Sequence, residues 1–348
     1  MSLNGKKRAV NFLGFLLFIY LFIFSLVLIK YSFSEIEYVA RININHISEI
    51  NAFGLGWLLT LIMQSSGAVT SALMALNYAG ILGNVALVFM ILGTRIGTAI
   101  TSLSVALLVS AKRRDFRHGF EIGLANLVYA FPIAIFMFFL EYFFSFFSKA
   151  GNYFAFSESP FNINFVDKIT MPLIGMIKFI PAYFLAIFGV FLIILSLKKM
   201  PVLILNTWGK GFLRKKIDKY LRKKSFSFFV GFILALFLTS TGITIALLIP
   251  FIVSRIINLK KVIPYLIGTN LGGVIDVIIG GLVIGKTSIP AIFTYVSFSV
   301  IGLFWLFNTD LIFRITKFIS KKTLHISRKR AVLFVLSFIL LAIALSFI

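Results

Sequence analysis

The sequence predicts an all-α polytopic membrane protein made of two inverted repeats. Each repeat is expected to hold a re-entrant helical hairpin plus transmembrane helices, about seven spans and two hairpins in all. Three observations carry this. The 348 residues are 60% hydrophobic and 13% charged, with a mean hydropathy of +1.03, too apolar for a soluble domain of this length. Several apolar runs reach the ~20 residues that cross a bilayer, without the two-residue alternation of an outer-membrane barrel. Finally, two of these runs are interrupted by serine, threonine and glycine in the same pattern, 175 residues apart. Internal duplication of this kind marks a transporter with its site where the repeats meet.

The apolar segments run over 11–29, 53–79, 82–110, 119–147, 171–197, 226–254, 262–284, 289–308 and 331–348. The first follows Lys6, Lys7 and Arg8 as in a signal peptide. It is long for one and lacks a nearby small-residue cleavage site, so it reads as an uncleaved first span, residues 1–30. The net charge of +23 is gathered into clusters: Lys112, Arg113, Arg114 and Arg117; ten basic residues with one acid over Lys198–Lys224; seven basic residues and no acid over Arg314–Arg330. Clusters in short loops between spans are the positive-inside signal and should meet anionic lipid headgroups, which argues against nucleic acid as the partner.

Placing every basic loop and the N-terminus in the cytoplasm creates a parity problem. Three apolar segments separate Arg8 from Lys112, and three more separate Lys224 from Arg314, yet both ends of each trio are inside. One segment of each trio must therefore turn back, and 53–79 and 226–254 carry polar centres suited to a hairpin tip. Half of such a segment is ~12 residues, or ~18 Å of helix, enough to reach mid-membrane and return. Exposed backbone at the tip is tolerated only against protein or a watery cavity. The first hairpin then enters from outside and the second from inside, so the repeats are inverted. Two ordinary spans with one misplaced basic loop are the alternative. The organisation expected is a first repeat over 53–147, a connecting loop and helix over 148–197, a basic amphipathic cytoplasmic linker over 198–224, a second repeat over 226–308, and a basic loop with a last transmembrane helix over 309–348. No soluble domain is expected beside this core.

Metal clusters and nucleophile–base pairs are not visible. There are no cysteines, which excludes thiolate chemistry and cysteine metal sites, and His46, His118 and His325 are far apart in sequence. An enzyme is therefore not expected. Glu121 and Glu141 lie near segment ends and read as interfacial.

The repeat itself reads MQSSGAVTSAL (Met63–Leu73) and ILGTRIGTAIT (Ile91–Thr101), then LTSTGITIALL (Leu238–Leu248) and LIGTNLGGVID (Leu266–Asp276). It resembles the twice-occurring QSSS…GANIGT signature of sodium-dependent phosphate cotransporters, over residues 60–101 and 235–276. A weaker echo follows each copy in GLANLVY (Gly123–Tyr129) and VSFSVIG (Val296–Gly302). The resemblance implies inward transport of inorganic phosphate with sodium, around the two serine-rich tips. It places Gln64, Ser65, Ser66, Gly67, Arg95, Ser240, Thr241 and Gly242 around the substrate. Thr94, Thr98, Thr239, Thr269, Asn270 and Asp276 fall around the ions. Sodium enters as a co-substrate, and no resident cofactor is expected. The chemistry agrees: a phosphate dianion needs dense donors and positive helix ends, and sodium needs oxygen ligands. A homodimer is left open.

The chain departs from the family pattern at several points. The second tip, Thr239-Ser240-Thr241-Gly242, lacks the glutamine, Gly67 replaces a third serine, and Arg95 stands where the second copy keeps Asn270. Charges inside a span are costly and usually functional or paired. Arg95 is open to three readings: a bidentate anion ligand, a tethered stand-in for a sodium ion, or a structural lock with Asp276. Asp276 is open to sodium coordination, proton carriage or simple neutralisation of Arg95. Rival readings are a proton-coupled or other oxyanion carrier and a non-transporting membrane scaffold.

Overall fold

The computed structural model describes residues 3–35, 47–109, 113–156, 164–208, 223–246, 248, 258–324 and 328–348. The chain is all-α, with no strand among the described residues. Its helices are α1 (Leu3–Glu35), α2 (Glu49–Met63), α3 (Ser66–Tyr78), α4 (Asn84–Val109), α5 (Arg113–Phe144), α6 (Phe146–Phe156), α7 (Asn164–Ile177), α8 (Ala182–Trp208), α9 (Lys224–Leu238), α10 (Thr241–Ala246), α11 (Leu259–Gly272), α12 (Ile275–Ile284), α13 (Ile289–Ile301), α14 (Thr309–Leu324) and α15 (Arg328–Ser346). Among the described residues six stretches are long and apolar enough to cross a membrane: Ala9–Ile29, Asn84–Ser104, Gly119–Phe144, Leu259–Ile284, Lys286–Leu306 and Lys329–Ser346. Phe136, Phe139, Tyr142 and Phe143 are exposed on one of them, as expected of a surface that faces hydrocarbon rather than water.

The duplication is reproduced element by element. α2 and α9 begin and end at positions related by the same spacing of 175 residues that relates Arg95 to Asn270. So do α4 and the α11–α12 pair taken together. Both copies of the polar motif break their helix. Gln64 (φ 54°) and Thr239 (φ 48°) adopt the left-handed conformation at equivalent positions. That conformation is uncommon outside glycine and strained for β-branched threonine, at a cost of order 1–3 kcal/mol. A helix restarts two residues on in each copy, with Val69 N–H bonded to Ser65 O and Thr244 N–H to Ser240 O, both at 3.1 Å. In the first copy Ser65 is a true N-cap, its Oγ accepting from Ala68 N–H at 3.2 Å.

Close backbone packing explains two glycine pairs of the repeat. A side chain at Gly56 would strike the Met90 carbonyl, and one at Gly231 the Tyr265 carbonyl; Gly93 meets Phe53 O as Gly268 meets Phe228 O. These contacts seat α2 on α4 and α9 on α11 in the same way. The arms after each break then cross over. α3 packs against α12 of the second repeat, and α10 packs against α4 of the first. The two polar breaks thus meet helices of the opposite repeat in the centre of the molecule.

Several expectations are corrected. Segment 171–197 is not one helix: α7 ends at Ile177, α8 begins at Ala182, and Pro181 lies between them. Segment 262–284 is interrupted at Gly273–Val274. Residues 309–324 form a helix instead of a loop, with Leu311, Arg314, Phe318, Lys321 and Lys322 on its exposed face. Parts of the region 148–170 are helical, in α6 and α7. Residues 209–222 of the basic linker, His46 and His325 lie outside the described residues.

Glu121 and Glu141 are buried, not interfacial. Glu121 accepts from Arg117 Nε at 3.2 Å, Lys317 Nζ at 2.7 Å and Ser320 Oγ at 3.1 Å, tying α14 to α5. Glu141 Oε2 accepts from the Phe147 and Ser148 amides at 2.7 and 3.3 Å. That carboxylate therefore caps the start of α6, where the helix dipole favours negative charge.

Candidate functional site

Arg95, at the middle of α4, is the largest charged side chain fully enclosed by the protein, at 2% exposure. Its Nη2 donates to Asn270 Oδ1 at 3.0 Å. The guanidinium carbon lies 4.4 Å from the Tyr295 ring centroid and 4.5 Å from that of Phe298. Stacking on two aromatic faces suits a planar, weakly hydrated cation and offsets part of its desolvation. Its Nε and Nη1 have no hydrogen-bond partner. Orphaned donors on a buried cation are rare, because each leaves its desolvation uncompensated.

Asn270 is the centre of a neutral network. Its Nδ2 donates to Asn126 Oδ1 at 3.0 Å and to Leu266 O at 2.9 Å. Asn126 Nδ2 reaches Ser102 Oγ at 3.4 Å, and Ser299 Oγ donates to the Asn270 carbonyl at 2.9 Å. The network therefore joins α4, α5, α11 and α13, with Arg95 at its open end.

The first tip closes the other side. Ser66 Oγ and Tyr295 OH form a hydrogen bond of 3.0 Å, so the ring beneath Arg95 also touches the start of α3. Asp276, in the first turn of α12 and 5% exposed, presses its carboxylate against Gly67 in the first turn of α3. Its Oδ1 accepts from Val277 N–H at 2.8 Å. A carboxylate in the first turn of one helix and against the first turn of another gains from both positive ends.

The lock reading of Arg95 does not hold as a direct contact. Among the described residues Arg95 and Asp276 form no ion pair, and Asn270 takes the guanidinium bond instead. The two charges are nonetheless linked through Tyr295: Asp276 lies against Gly67, the neighbour of Ser66, whose Oγ bonds the Tyr295 hydroxyl of the ring stacked on Arg95.

The threonines are placed differently from the charges. Thr94 and Thr269, equivalent in the repeat, donate to the carbonyls of Ile91 and Leu266 at 2.7 and 2.8 Å. Thr98 donates to Thr94 O at 2.9 Å and Thr239 to Leu238 O at 2.8 Å. Thr241 donates to Thr269 O at 3.3 Å, with its Oγ1 against Gly273. Their hydrogens are taken, so what these hydroxyls can still offer is oxygen lone pairs, suited to a cation and not to an anion. Gln64 is exposed, Ser65 and Ser240 are half-buried, and Gly242 faces open space. Among the described residues, the glycine position is thus open in the second tip, whereas in the first it is filled by the Asp276 carboxylate.

Sequence reasoning did not single out Tyr295, Phe298, Ser102 or Asn126. Asn126 lies within the weak GLANLVY echo, and Phe298 and Ser299 lie within VSFSVIG. Tyr295 sits one residue before that second echo, among many aromatic residues, and carries no separate signal.

Residues 21–166 match the family model described as Na+/Pi-cotransporter. The matched stretch contains the first tip, Arg95 and Asn126, so this part of the chain is similar to that family. The second copy lies beyond the match and is tied to the first by the internal repeat. No curated protein and no solved structure matches the chain.

Proposed function

We propose that this chain is a member of the Na+/Pi-cotransporter family and imports inorganic phosphate with sodium, by alternating access around the Arg95 site between two inverted repeats. Sodium-coupled phosphate transport is the activity of the family; the mechanism and the residues are our reading. The observation that carries it is the buried Arg95 guanidinium, with two donors unpartnered and no carboxylate paired to it among the described residues. An unpartnered N–H on a guanidinium is a charge-assisted donor for an oxygen of a tetrahedral anion.

In this reading phosphate docks on Arg95 through one of its free N–H groups, at Nε or at Nη1. Tyr295 and Phe298 hold the guanidinium plane, and Asn270 fixes its far nitrogen. Ser65, Ser66 and the amides beside Gly67, with Gln64, complete the first half of the shell. Ser240, Thr241 and the backbone at Gly242 do so from the second half. Thr94, Thr98, Thr239, Thr269 and Asn270 offer oxygens to sodium. The helix breaks at Gln64 and Thr239 are the re-entrant tips, and residues 53–147 and 226–308 are the two transport repeats. The basic N-terminus faces the cytoplasm of a cell inner or plasma membrane, with anionic lipid at the basic segments.

The test is uptake of radiolabelled phosphate into proteoliposomes under an inward sodium gradient against an equal potassium gradient, for the wild type and Arg95→Gln. A charge-assisted hydrogen bond contributes on the order of 1.5–3 kcal/mol. Arg95→Gln should therefore lose at least about tenfold in uptake at low phosphate. Sodium-dependent uptake unchanged by Arg95→Gln would remove Arg95 from the substrate. Competition by sulfate and arsenate reports whether the fork selects phosphate among oxyanions.

A further inference from the structure

α14 lies between two stretches that are long and apolar enough to cross a membrane, Lys286–Leu306 before it and Lys329–Ser346 after it, and is not itself one of them. A helix that joins the end of one span to the start of the next without crossing stays at one face of the bilayer. Its two sides are sorted residue by residue. Thr309, Ile312, Thr316 and Ser320, spaced three or four apart, are buried, and the helix packs on α5, α11 and α15. Leu311, Arg314, Phe318, Lys321 and Lys322 form the exposed side. Phe318 is 69% exposed, with Arg314 one turn before it and Lys321 and Lys322 one turn after. The charges divide in the same way. Asp310, the one acid of this helix, is held by Lys260 at 2.7 Å, and Lys317 is held by the buried Glu121 at 2.7 Å. Arg314, Lys321 and Lys322 form no ion pair among the described residues.

We infer that α14 is a docking helix for an anionic bilayer surface: it lies in the membrane plane, with Leu311 and Phe318 at the acyl boundary and Arg314, Lys321 and Lys322 on phosphate-bearing headgroups. This deepens the placement of anionic lipid at the basic segments given above and does not depend on the anion reading of Arg95. Apolar side chains edged by bases are the pattern of a helix that lies at headgroup level. The long stems of the three bases cover apolar surface while their charges stay with the headgroups. Charge complementarity and position together favour lipid over a soluble partner, because the spans at both ends already hold this face at the bilayer surface. The docked helix also reaches inward. Lys317 and Ser320 bond Glu121 of α5, and α5 carries Asn126 of the Arg95 network further along. One buried carboxylate thus ties the bilayer surface to the first repeat.

The chain has no cysteine, so Leu311→Cys carries a single environment-sensitive fluorophore on the outer face of α14. The labelled full chain is placed in nanodiscs of phosphatidylcholine alone and of phosphatidylcholine with phosphatidylglycerol, each containing a lipid brominated in its acyl chain as quencher. Quenching should be at least about twofold stronger in the anionic discs. It should fall as salt rises from about 0.1 M to about 1 M, over which the screening length shortens from ~10 Å to ~3 Å. Arg314→Gln, Lys321→Gln and Lys322→Gln combined should abolish that lipid and salt dependence, with the unfolding midpoint in phosphatidylcholine unchanged because all three side chains are exposed. The other basic clusters are intact in this variant. The unfolding midpoints in the two lipids therefore separate a general preference of the protein for anionic bilayers from docking by α14. The inference is overturned if the label is quenched equally in both lipids, or if the combined variant keeps the full dependence. It is overturned equally if acrylamide reaches the label from water as readily as it reaches the free dye, which would leave the face to a soluble partner.

Discussion

Gly67 and Gly242 occupy the same place in the repeat, yet alanine should act on them in opposite directions. Both follow the helix break by the same number of residues, and neither has positive φ. At Gly67 a Cβ would land on the Asp276 carboxylate, while at Gly242 nothing lies within 4 Å. Overpacking in a closed site costs about 1–3 kcal/mol. Expelling the carboxylate from the start of α3 forfeits a further ~0.3–1 kcal/mol of helix-dipole stabilisation. At Gly242 the substitution reduces the freedom of the unfolded chain and should stabilise by about 0.4–1 kcal/mol. The two single-methyl variants should therefore differ by roughly 2–5 kcal/mol. The assay is the apparent unfolding midpoint of each variant in the same detergent, with the wild type between them. Equal shifts in the two variants would refute the placement of Asp276 against the first tip and the openness of the second.

Gly56→Ala and Gly231→Ala, in contrast, should act alike. Each strikes a carbonyl of its partner helix, where backbone has nowhere to go. Both should lower the unfolding midpoint by an amount equivalent to about 1–3 kcal/mol; a neutral result in either would break the equivalence of the two seams. Glu121→Gln leaves Lys317 and Arg117 without their buried counter-charge. Removing one partner of a buried pair costs about 3–5 kcal/mol, and the half-exposed bases here place the effect at or below the low end. Faster proteolysis within α14, with α5 still protected, would report the loss of that tie. Asp310 is exposed and held below the usual carboxylate range, first by its hydrogen bond from Lys260 at 2.7 Å. A depressed folded pKa contributes stability above the unfolded value and loses it as pH falls through the folded one. Asp310→Asn should therefore flatten the acid side of the midpoint-against-pH curve below about pH 4, and the difference should shrink in high salt.

The lesson of the threonines and charges lies in what local chemistry can report. The breaks at Gln64 and Thr239 are legible from the polar runs at the segment centres together with the parity of the basic loops; composition alone does not stop a helix, since α4 runs unbroken through Gly93, Thr94, Gly97 and Thr98. The hydroxyls of Thr94, Thr98 and Thr269 look like free ligands in sequence, yet each bonds a carbonyl three or four residues back. That preference is a known habit of threonine in helices, and it leaves their lone pairs, not their hydrogens, for a ligand. Glu121 and Glu141 were misplaced because distance from a segment end does not report burial when another helix, α14 or α6, covers the side chain.

By itself the sequence determined the membrane class, the duplication, the positions of the helix breaks and the two out-of-place charges. These depend on hydropathy, spacing and backbone preference, all of which act over a few residues. Only the tertiary structure decided that Arg95 bonds Asn270 and not Asp276, that Tyr295 and Phe298 sandwich it, and that Asp276 fills the first tip while the second stays open. Those outcomes depend on how α3 and α12, and α10 and α4, pack across the repeats. Two segments with the same spacing carry no local record of what lies opposite each of them.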